Sequence, residues 1–316
     1  MAIYTITHTT KYLYENPVIE STNEIRVFPY VCKEQELLNQ DLNISFSPIL
    51  HIYADYWKNK VATFSILQPH SELIVESHLT VRTTSPRLIQ INFHSDFTQL
   101  VSEIDKSLLL IELSKIEKIS NQSLINKIAD DLQQGSPSIA EIVERCSSYI
   151  FKHFKYVQGI TDIETTVDEI LQHKGGVCQD FAHVMLQLLR TINIPCRYVS
   201  GYICPNKTGM RGEGATHAWV EAYIPQFGWA GIDPTNNVWV TNYHVKLAIG
   251  RNFKDCSPIK GTFRGNCQQA LSVHVSIHYE DGKSFEQTNA VKRREPYLIT
   301  APLDTNPMGN QQQQQQ

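Results

Sequence analysis

Apolar residues along this chain repeat with two different periods. Up to about residue 85 they alternate. Tyr4, Ile6 and His8 share one face of a first strand, with Ile3 and Thr5 on the other. Leu42, Ile44 and Phe46, then Ala62, Phe64 and Ile66, then Leu73, Val75, Ser77, Leu79 and Val81 keep the same two-residue repeat, which belongs to strands with one face in a core. Asn16-Pro17 and Lys58-Asn59-Lys60 punctuate the series. Several short strands at this spacing predict an antiparallel β-sandwich.

The period changes after Ser85-Pro86. Leu108 to Leu113 and Leu124 to Leu132 carry helical spacings, and Ile139, Ile142, Val143, Cys146 and Ile150 form an i, i+3, i+4, i+7, i+11 stripe behind a Ser136-Pro137-Ser138 N-cap. Cys146 on that stripe is predicted to be a buried, inert thiol. A short helix from Val167 to His173 leads to Gly175-Gly176. Beyond the glycines, Phe181, Val184, Met185, Leu188, Leu189 and Ile192 mark a further amphipathic helix. Asn193-Ile194-Pro195 ends it. Cys196 to Ile203, Ala215 to Ile224 and Trp229 to Asp233 read as strands, the last stopped by Pro234. Glycines at 209, 212 and 214 suggest a mobile loop before residue 215. Leu271, Val273, Val275, Ile277 and Tyr279 alternate as a terminal strand, and a tail ending in six glutamines is expected to be disordered.

Chemistry gathers in the second half. Cys178 stands at the predicted N-terminus of the helix, where unsatisfied N–H groups and the positive end of the dipole favour a thiolate and offer donors to an oxyanion. His217 opens the strand that follows the glycine loop. Positions 217 and 233 face each other if the hairpin is centred on Pro225, which sets Asp233 beside His217 on one face. A cysteine, a histidine and an aspartate in that order supply a nucleophile, its base and the group that orients the base. Asp180 lies in the first helical turn, where a carboxylate complements the dipole. His183 is about 140° around the helix from Cys178 and reads as structural. Trp219, Tyr223 and Glu221 share the parity of His217; Trp219 is a candidate for the cleft wall and Glu221 for a buried ion pair.

Gly-Gly-Val-Cys-Gln-Asp-Phe-Ala-His at 175–183, Ala-Thr-His-Ala-Trp-Val-Glu at 215–221 and Gly-Trp-Ala-Gly-Ile-Asp-Pro-Thr at 228–235 resemble the three core motifs of the bacterial transglutaminase-like superfamily. The opening His-Thr-Thr-Lys-Tyr-Leu-Tyr-Glu-Asn-Pro-Val at 8–18 resembles, more loosely, the N-terminal region that accompanies that core in bacterial relatives. Residues 248–253 and 261–265 resemble its closing segment. The resemblance implies an α+β chain: an antiparallel β-sandwich, then a papain-like core in which a helix carrying cysteine packs on an antiparallel sheet carrying histidine and aspartate. It carries the catalytic roles onto Cys178, His217 and Asp233. The division expected is 1–90 for the sandwich, 91–290 for the catalytic core and 291–316 for the tail. The activity implied is acyl transfer from an amide through a thioester, as a peptidase or amidase acting on a protein or peptide. The alternatives are a protein-glutamine acyltransferase with an amine acceptor and a catalytically silent binding scaffold. Trp219, Tyr202 and Gly176 are the candidate substrate-binding residues.

Composition narrows the field further. A formal charge of −4, with Lys292-Arg293-Arg294 as the tight basic cluster, argues against a nucleic-acid surface. There is no run of about 18 apolar residues to span a bilayer, and the first residues carry neither a basic leader nor an apolar segment. Seven cysteines without paired spacing fit a reducing compartment, so a cytoplasmic protein without membrane partners is expected. The 12 histidines are scattered, with no His-Glu-x-x-His and no Cys-x-x-Cys, and Gly209 to Gly214 lacks the lysine of a phosphate loop. Neither a metal nor another cofactor is expected.

Overall fold

The computed structural model describes residues 1–84, 95–204, 210–212, 215–279, 284–291 and 310–314. The chain divides into two compact units, Thr83–Cys256 and a second made of Ala2–Arg82 together with Ser257–Gln316.

The unit built from the two chain ends is a β-sandwich. One sheet runs in the order Ser284–Val291, Gln269–Tyr279, Ala2–Val18, His70–Thr83, Gln35–Ile44. The other runs Asn310–Gln314, Ile259–Arg264, Glu20–Ile25, Lys60–Ile66, His51–Ala54. The alternation seen in the sequence becomes burial: Leu73, Val75, Ser77, Leu79 and Val81 point inward from one strand. The sheets meet through Tyr14 and Phe263, ring centroids 5.2 Å apart, and through the 3.1 Å hydrogen bond of Ser21 with His70. Phe46 falls outside this pattern. It occupies a turn with φ of 67° and is half exposed.

Two features of the division differ from the sequence reading. Residues expected to close the catalytic core instead pair with the first strands: Tyr4↔Tyr279 through Tyr14↔Gln269, and Ile25↔Ile259 through Glu20↔Arg264. Alternation identifies a strand but says nothing about its partner, so the period at 271–279 was legible and its sheet was not. Asn310–Gln314, expected to be disordered, forms an edge strand on Ile259–Arg264. Ladder bonds are made by backbone groups, so an open edge accepts a polar segment of any side-chain type. The Ser85-Pro86 boundary, Gly209, Gly214 and residues 292–309 lie outside the described residues.

The second unit is α+β. Helices Phe97–Ile104, Leu108–Ser114, Gln122–Leu132, Ile139–His153 and Val167–His173 precede the central helix Cys178–Thr191. Ser138 and Glu141 form a capping box, as do Thr166 and Glu169, each satisfying backbone N–H groups that the first helical turn leaves open. The central helix packs on a five-stranded antiparallel sheet in the order Val238–Trp239, Gly228–Asp233, Ala215–Ile224, Cys196–Ile203, His244–Gly250. Ala218, Val220, Ala222 and Ile224 face it, together with Cys196, Tyr198, Ala230 and Ile232.

The amphipathic stripe understates how deep this helix lies. Its polar flank is buried too, because the helices around Leu110 and Ile125 cover it. The buried polar groups are satisfied. Gln187 donates to Glu117 O and Gln122 Oε1, and Arg190 donates to the carbonyls of Leu113, Cys196 and Arg251. Among the described residues no helix is long and apolar enough to cross a membrane.

The sheet face opposite the helix is held by Trp219, fully buried and seated over Gly201. A Cβ on Gly201 would stand 2.1 Å from Val245 O and 2.7 Å from Trp219 Cη2; one on Gly231 would stand 2.7 Å from Val240 Cγ2. Gly201 is also the partner of His217 in the ladder. Since neither the backbone oxygen nor the indole can yield, Gly201→Ala is expected to destabilise the chain by about 3 kcal/mol or more, the upper end of overpacking costs. Thermal unfolding checks this, and a melting temperature equal to wild type would refute it.

Candidate active site

Local chemistry fixes the turn that presents Cys178. The helix Val167–His173 ends on Lys174 in the left-handed region, φ 47°. The chain then extends through Gly175–Gly176, paired in parallel with Lys155–Tyr156. Val177 is the N-cap and Cys178 the first helical residue, half-buried. Asp180 reaches back over this turn: its Oδ2 accepts Val177 N–H at 2.7 Å and Thr161 O–H at 2.6 Å. Burial pushes the Asp180 carboxyl pKa up, against those two donors. Its work is to clamp the helix start, as the dipole argument anticipated. Gly176 makes the clamp possible, because a Cβ there would lie 2.3 Å from Asp180 Oδ2.

His217 and Asp233 meet on the face of the sheet that carries Trp219. His217 Nε2 lies 2.9 Å from Asp233 Oδ2, with both side chains wholly buried. The hairpin register differs from the one read in the sequence. Pairs such as Val220↔Ile232 and Ile224↔Gly228 centre the turn on Gln226, whose φ is 67°. Pro225 occupies the second turn position, as a positive-φ third position prefers. The slip amounts to two in the pairing sum, so His217 and Asp233 are diagonal neighbours rather than a direct pair. Side-chain direction has a period of two, and the pair therefore stays on one face.

Asp233 is saturated with donors. Oδ1 accepts Thr235 N–H at 2.9 Å, and Oδ2 also accepts Asn236 Nδ2 at 2.7 Å and faces His244 Nε2 at 3.5 Å. Thr241 N–H donates to His244 Nδ1, which leaves the His244 proton on Nε2, toward the carboxylate. Burial opposes charge on Asp233, but His217 and then His244 hold its carboxyl well below the usual carboxylate range. Burial likewise opposes charge on His217. Asp233 first, and the Cys178 sulfur next, raise its pKa to about 10. The other ring nitrogen, Nδ1, is buried and makes no hydrogen bond among the described residues. It is the nitrogen on the Cys178 side, and with the pKa at about 10 it carries a proton at neutral pH.

Several expectations need correction or relocation. Trp219 is fully buried behind His217, ring centroids 6.4 Å apart, so it offers no surface to a substrate. Tyr202 is also fully buried and pairs with Thr216, on the sheet face opposite that of His217. Strand alternation turns it away from the pair. Gly176 acts through the space it leaves for Asp180, and its carbonyl is taken by Val157 N–H. Glu221 is a buried ion-pair partner, bonded to Arg197 at 2.6 Å and to Lys246. His183 accepts Phe253 N–H and is pushed down to about 4 by burial, a structural imidazole. Cys146 is buried in the helical core. His244, Asn236 and Tyr156 were not singled out from the sequence. Asn236 follows Asp233 by three residues and carries a local turn signal, whereas His244 and Tyr156 reach the site through pairings that no local pattern announces. His217, Asp233 and His244 offer ligand atoms within 4.8 Å of one another. A metal there would have to replace the His217–Asp233 bond.

Comparison with known proteins agrees with the geometry. Residues 126–234 match the profile of the transglutaminase-like superfamily, and residues 4–82 that of the bacterial transglutaminase-like N-terminal region. An uncharacterized protein of Mycobacterium leprae is 30% identical over 279 residues, covering 86% of this chain and 97% of that protein. A protein-glutamine gamma-glutamyltransferase of Pseudomonas aeruginosa is 29% identical over 124 residues, covering 35% of this chain and 18% of its own. A candidate cysteine protease from Cytophaga hutchinsonii has the same fold, with a TM-score of 0.65 at 19% identity over 100% of this chain and 98% of that one.

The pH behaviour of the pair follows from the directions of its shifts. The His217 pKa lies above the ~6.5 of a free imidazole, so its share of stability is complete below about pH 6.5 and is lost as pH rises toward about 10. Asp233 is depressed, so its share is present above the ordinary carboxylate range and is lost in strong acid. These are two ends of one interaction and do not add. Proton NMR should show the His217 ring still protonated at pH 8, and Asp233→Asn should move its titration down by more than about one unit. A wild-type ring that is neutral at pH 7 would contradict the assignment.

Proposed function

The chain belongs to the transglutaminase-like superfamily, and from that premise we propose that it is a cysteine-dependent acyl-transfer enzyme acting on amide bonds of proteins or peptides. The observation that carries the reading is the buried His217–Asp233 bond, whose free imidazole nitrogen is left for a cysteine at a helix N-terminus. Asp233 holds His217 as the imidazolium, so Cys178 meets the substrate as the sulfur of a thiolate–imidazolium pair, its proton already on His217. The sulfur attacks the acyl carbon, and the C=O electron pair moves onto oxygen. Collapse restores the carbonyl and expels the amine, which takes its proton from His217, leaving a Cys178 thioester. Water, deprotonated by His217, then releases the acid.

Hydrolysis is the reading preferred here, in line with the peptidase or amidase class. Transfer to an amine acceptor uses the same first half-reaction, and the Pseudomonas relative is named a gamma-glutamyltransferase. All seven cysteines are free, which supports a reducing, cytoplasmic setting.

Intact-mass spectrometry after incubation with peptide amides, with and without a primary amine, tests this. An acyl adduct on Cys178 is expected, with release of free acid; amine-dependent products would move the assignment to transfer. Cys178→Ala should form no adduct, and Asp233→Asn should lower turnover by about 10⁴. Labelling of Cys178 by an alkylating probe no faster than that of buried Cys146 would sink the proposal.

A further inference from the structure

Tyr156, outside the Cys178, His217 and Asp233 set, is held against the cysteine turn by two independent contacts. Its backbone pairs with Gly176, two residues before the nucleophile, and the next N–H, of Val157, donates to Gly176 O at 2.9 Å. Its ring meets Phe181 edge-on, centroids 6.3 Å apart at 78°, on the helical turn that begins with Cys178. Its hydroxyl and the His217 imidazole both border the backbone of Gly212. The position a Cβ would take on Gly212 is 3.2 Å from His217 Nδ1 and 3.6 Å from Tyr156 Oη. Gly212 has φ of +78°, and a Cβ there would crowd His217 Nδ1 and touch Tyr156 Oη. The phenol is thus anchored to the cysteine turn at one end and shares the Gly212 border with His217 at the other.

The phenol also keeps its proton. Burial, then the Cys178 sulfur and the Asp233 carboxylate, push its pKa up to about 12, against Gln158 and Arg211. At neutral pH it is a neutral O–H donor, close to where negative charge builds during acyl transfer.

We propose that Tyr156 is a further catalytic residue, its hydroxyl donating a hydrogen bond to the oxygen that becomes negative when Cys178 attacks the acyl carbon. The inference rests on the acyl-transfer reading above. The step adds no atoms: the sulfur lone pair forms the S–C bond, the C=O pair becomes the oxyanion, and Tyr156 O–H supports it alongside backbone N–H groups at the helix start. When the oxyanion collapses, the carbonyl re-forms, the amine departs with the His217 proton, and the phenol proton stays on Tyr156. A donor aimed at developing charge in a water-poor site contributes more to the transition state than to bound substrate.

The test is Tyr156→Phe in the full chain, compared with wild type in two reactions at Cys178. Acylation by a p-nitrophenyl ester is followed in the pre-steady state, and alkylation by iodoacetamide is followed across the neutral pH range. Acylation develops an oxyanion; alkylation does not. The expected result is acylation slower by about 10²-fold, carried by the maximal rate and not by half-saturation. The alkylation profile and melting temperature should be unchanged. Equal acylation rates overturn the proposal. So does an alkylation profile that shifts in step with acylation, which would make Tyr156 a modulator of the thiol, and so does a fall in acylation that tracks a fall in melting temperature. If wild type itself forms no acyl-Cys178, the acyl-transfer reading fails first. If wild type acylates and the variant matches it, only the role of Tyr156 is lost.

Discussion

The structure of the site depends on one buried ion pair, His217 with Asp233. Both side chains are fully withdrawn from water. Desolvating an isolated carboxylate and an imidazolium costs several kcal/mol each, and their attraction offsets that cost only when the remaining lone pairs and protons are also satisfied. The donors around Asp233 supply this. Thr235 N–H and the Asn236 amide bind it from the loop that follows its own strand, and His244 comes from the strand at the far edge of the sheet. One carboxylate thereby links three separate segments of the sheet. Gly201 belongs to the same construction: it makes room for the Trp219 indole, which packs against both His217 and His244.

Cys178 is positioned by an opposite strategy. Nothing charged is needed to bring Cys178 to the sheet; the rigidity of its helix does it. Leu188, Leu189, Met185 and Phe181 are fully buried on one flank, and Gln187 and Arg190 are bonded to surrounding carbonyls on the other, so the helix has no free face on which to shift. Cutting back one such apolar side chain costs about 2–5 kcal/mol, a measure of how firmly the axis is held. At its first turn Asp180 ties Val177 and Thr161 together through a carboxylate that only a glycine at 176 admits. The helix sets the direction of the thiol and the clamp sets its height.

What the sequence revealed divides along the same line. Periodicity and capping are local, and they found the central helix, the strands at 62–66, 73–81, 196–203, 215–224, 229–233 and 271–279, and Cys178, His217 and Asp233. The hairpin illustrates how far such reasoning extends: its centre was off by one residue, yet His217 and Asp233 remained on a common face because the slip preserved parity. Non-local pairing was not legible. His244 gives no signal at position 244 until its strand is laid beside Cys196–Ile203. Tyr156 carries no local signal, and only its pairing with Gly176 brings it to the cysteine turn. The closing strands, with Leu271 and Val273 on clear alternation, belong to the sandwich and not to the α+β unit. Trp219 and Tyr202 were misassigned for a different reason. Aromatic residues near a site suggest a cleft wall, but an aromatic ring is equally suited to backing a buried pair, and only exposure distinguishes the two.

Exposure also constrains the order of events on the acyl-transfer reading. Of the three triad members, Cys178 alone retains appreciable exposure; His217 is 3% exposed and Asp233 0%. Substrate therefore approaches over the sulfur, and a departing amine leaves by the same side. An acceptor that attacks the thioester must be deprotonated by His217, whose free nitrogen lies toward Cys178. Acceptor and leaving group thus need one position in turn, and the first must vacate it before the second arrives. Such a site favours two separate half-reactions through a covalent intermediate over a concerted exchange. The choice between water and an amine is then made after acylation, by whatever the groups around Tyr156 and His217 admit to that single position, and not by the triad itself.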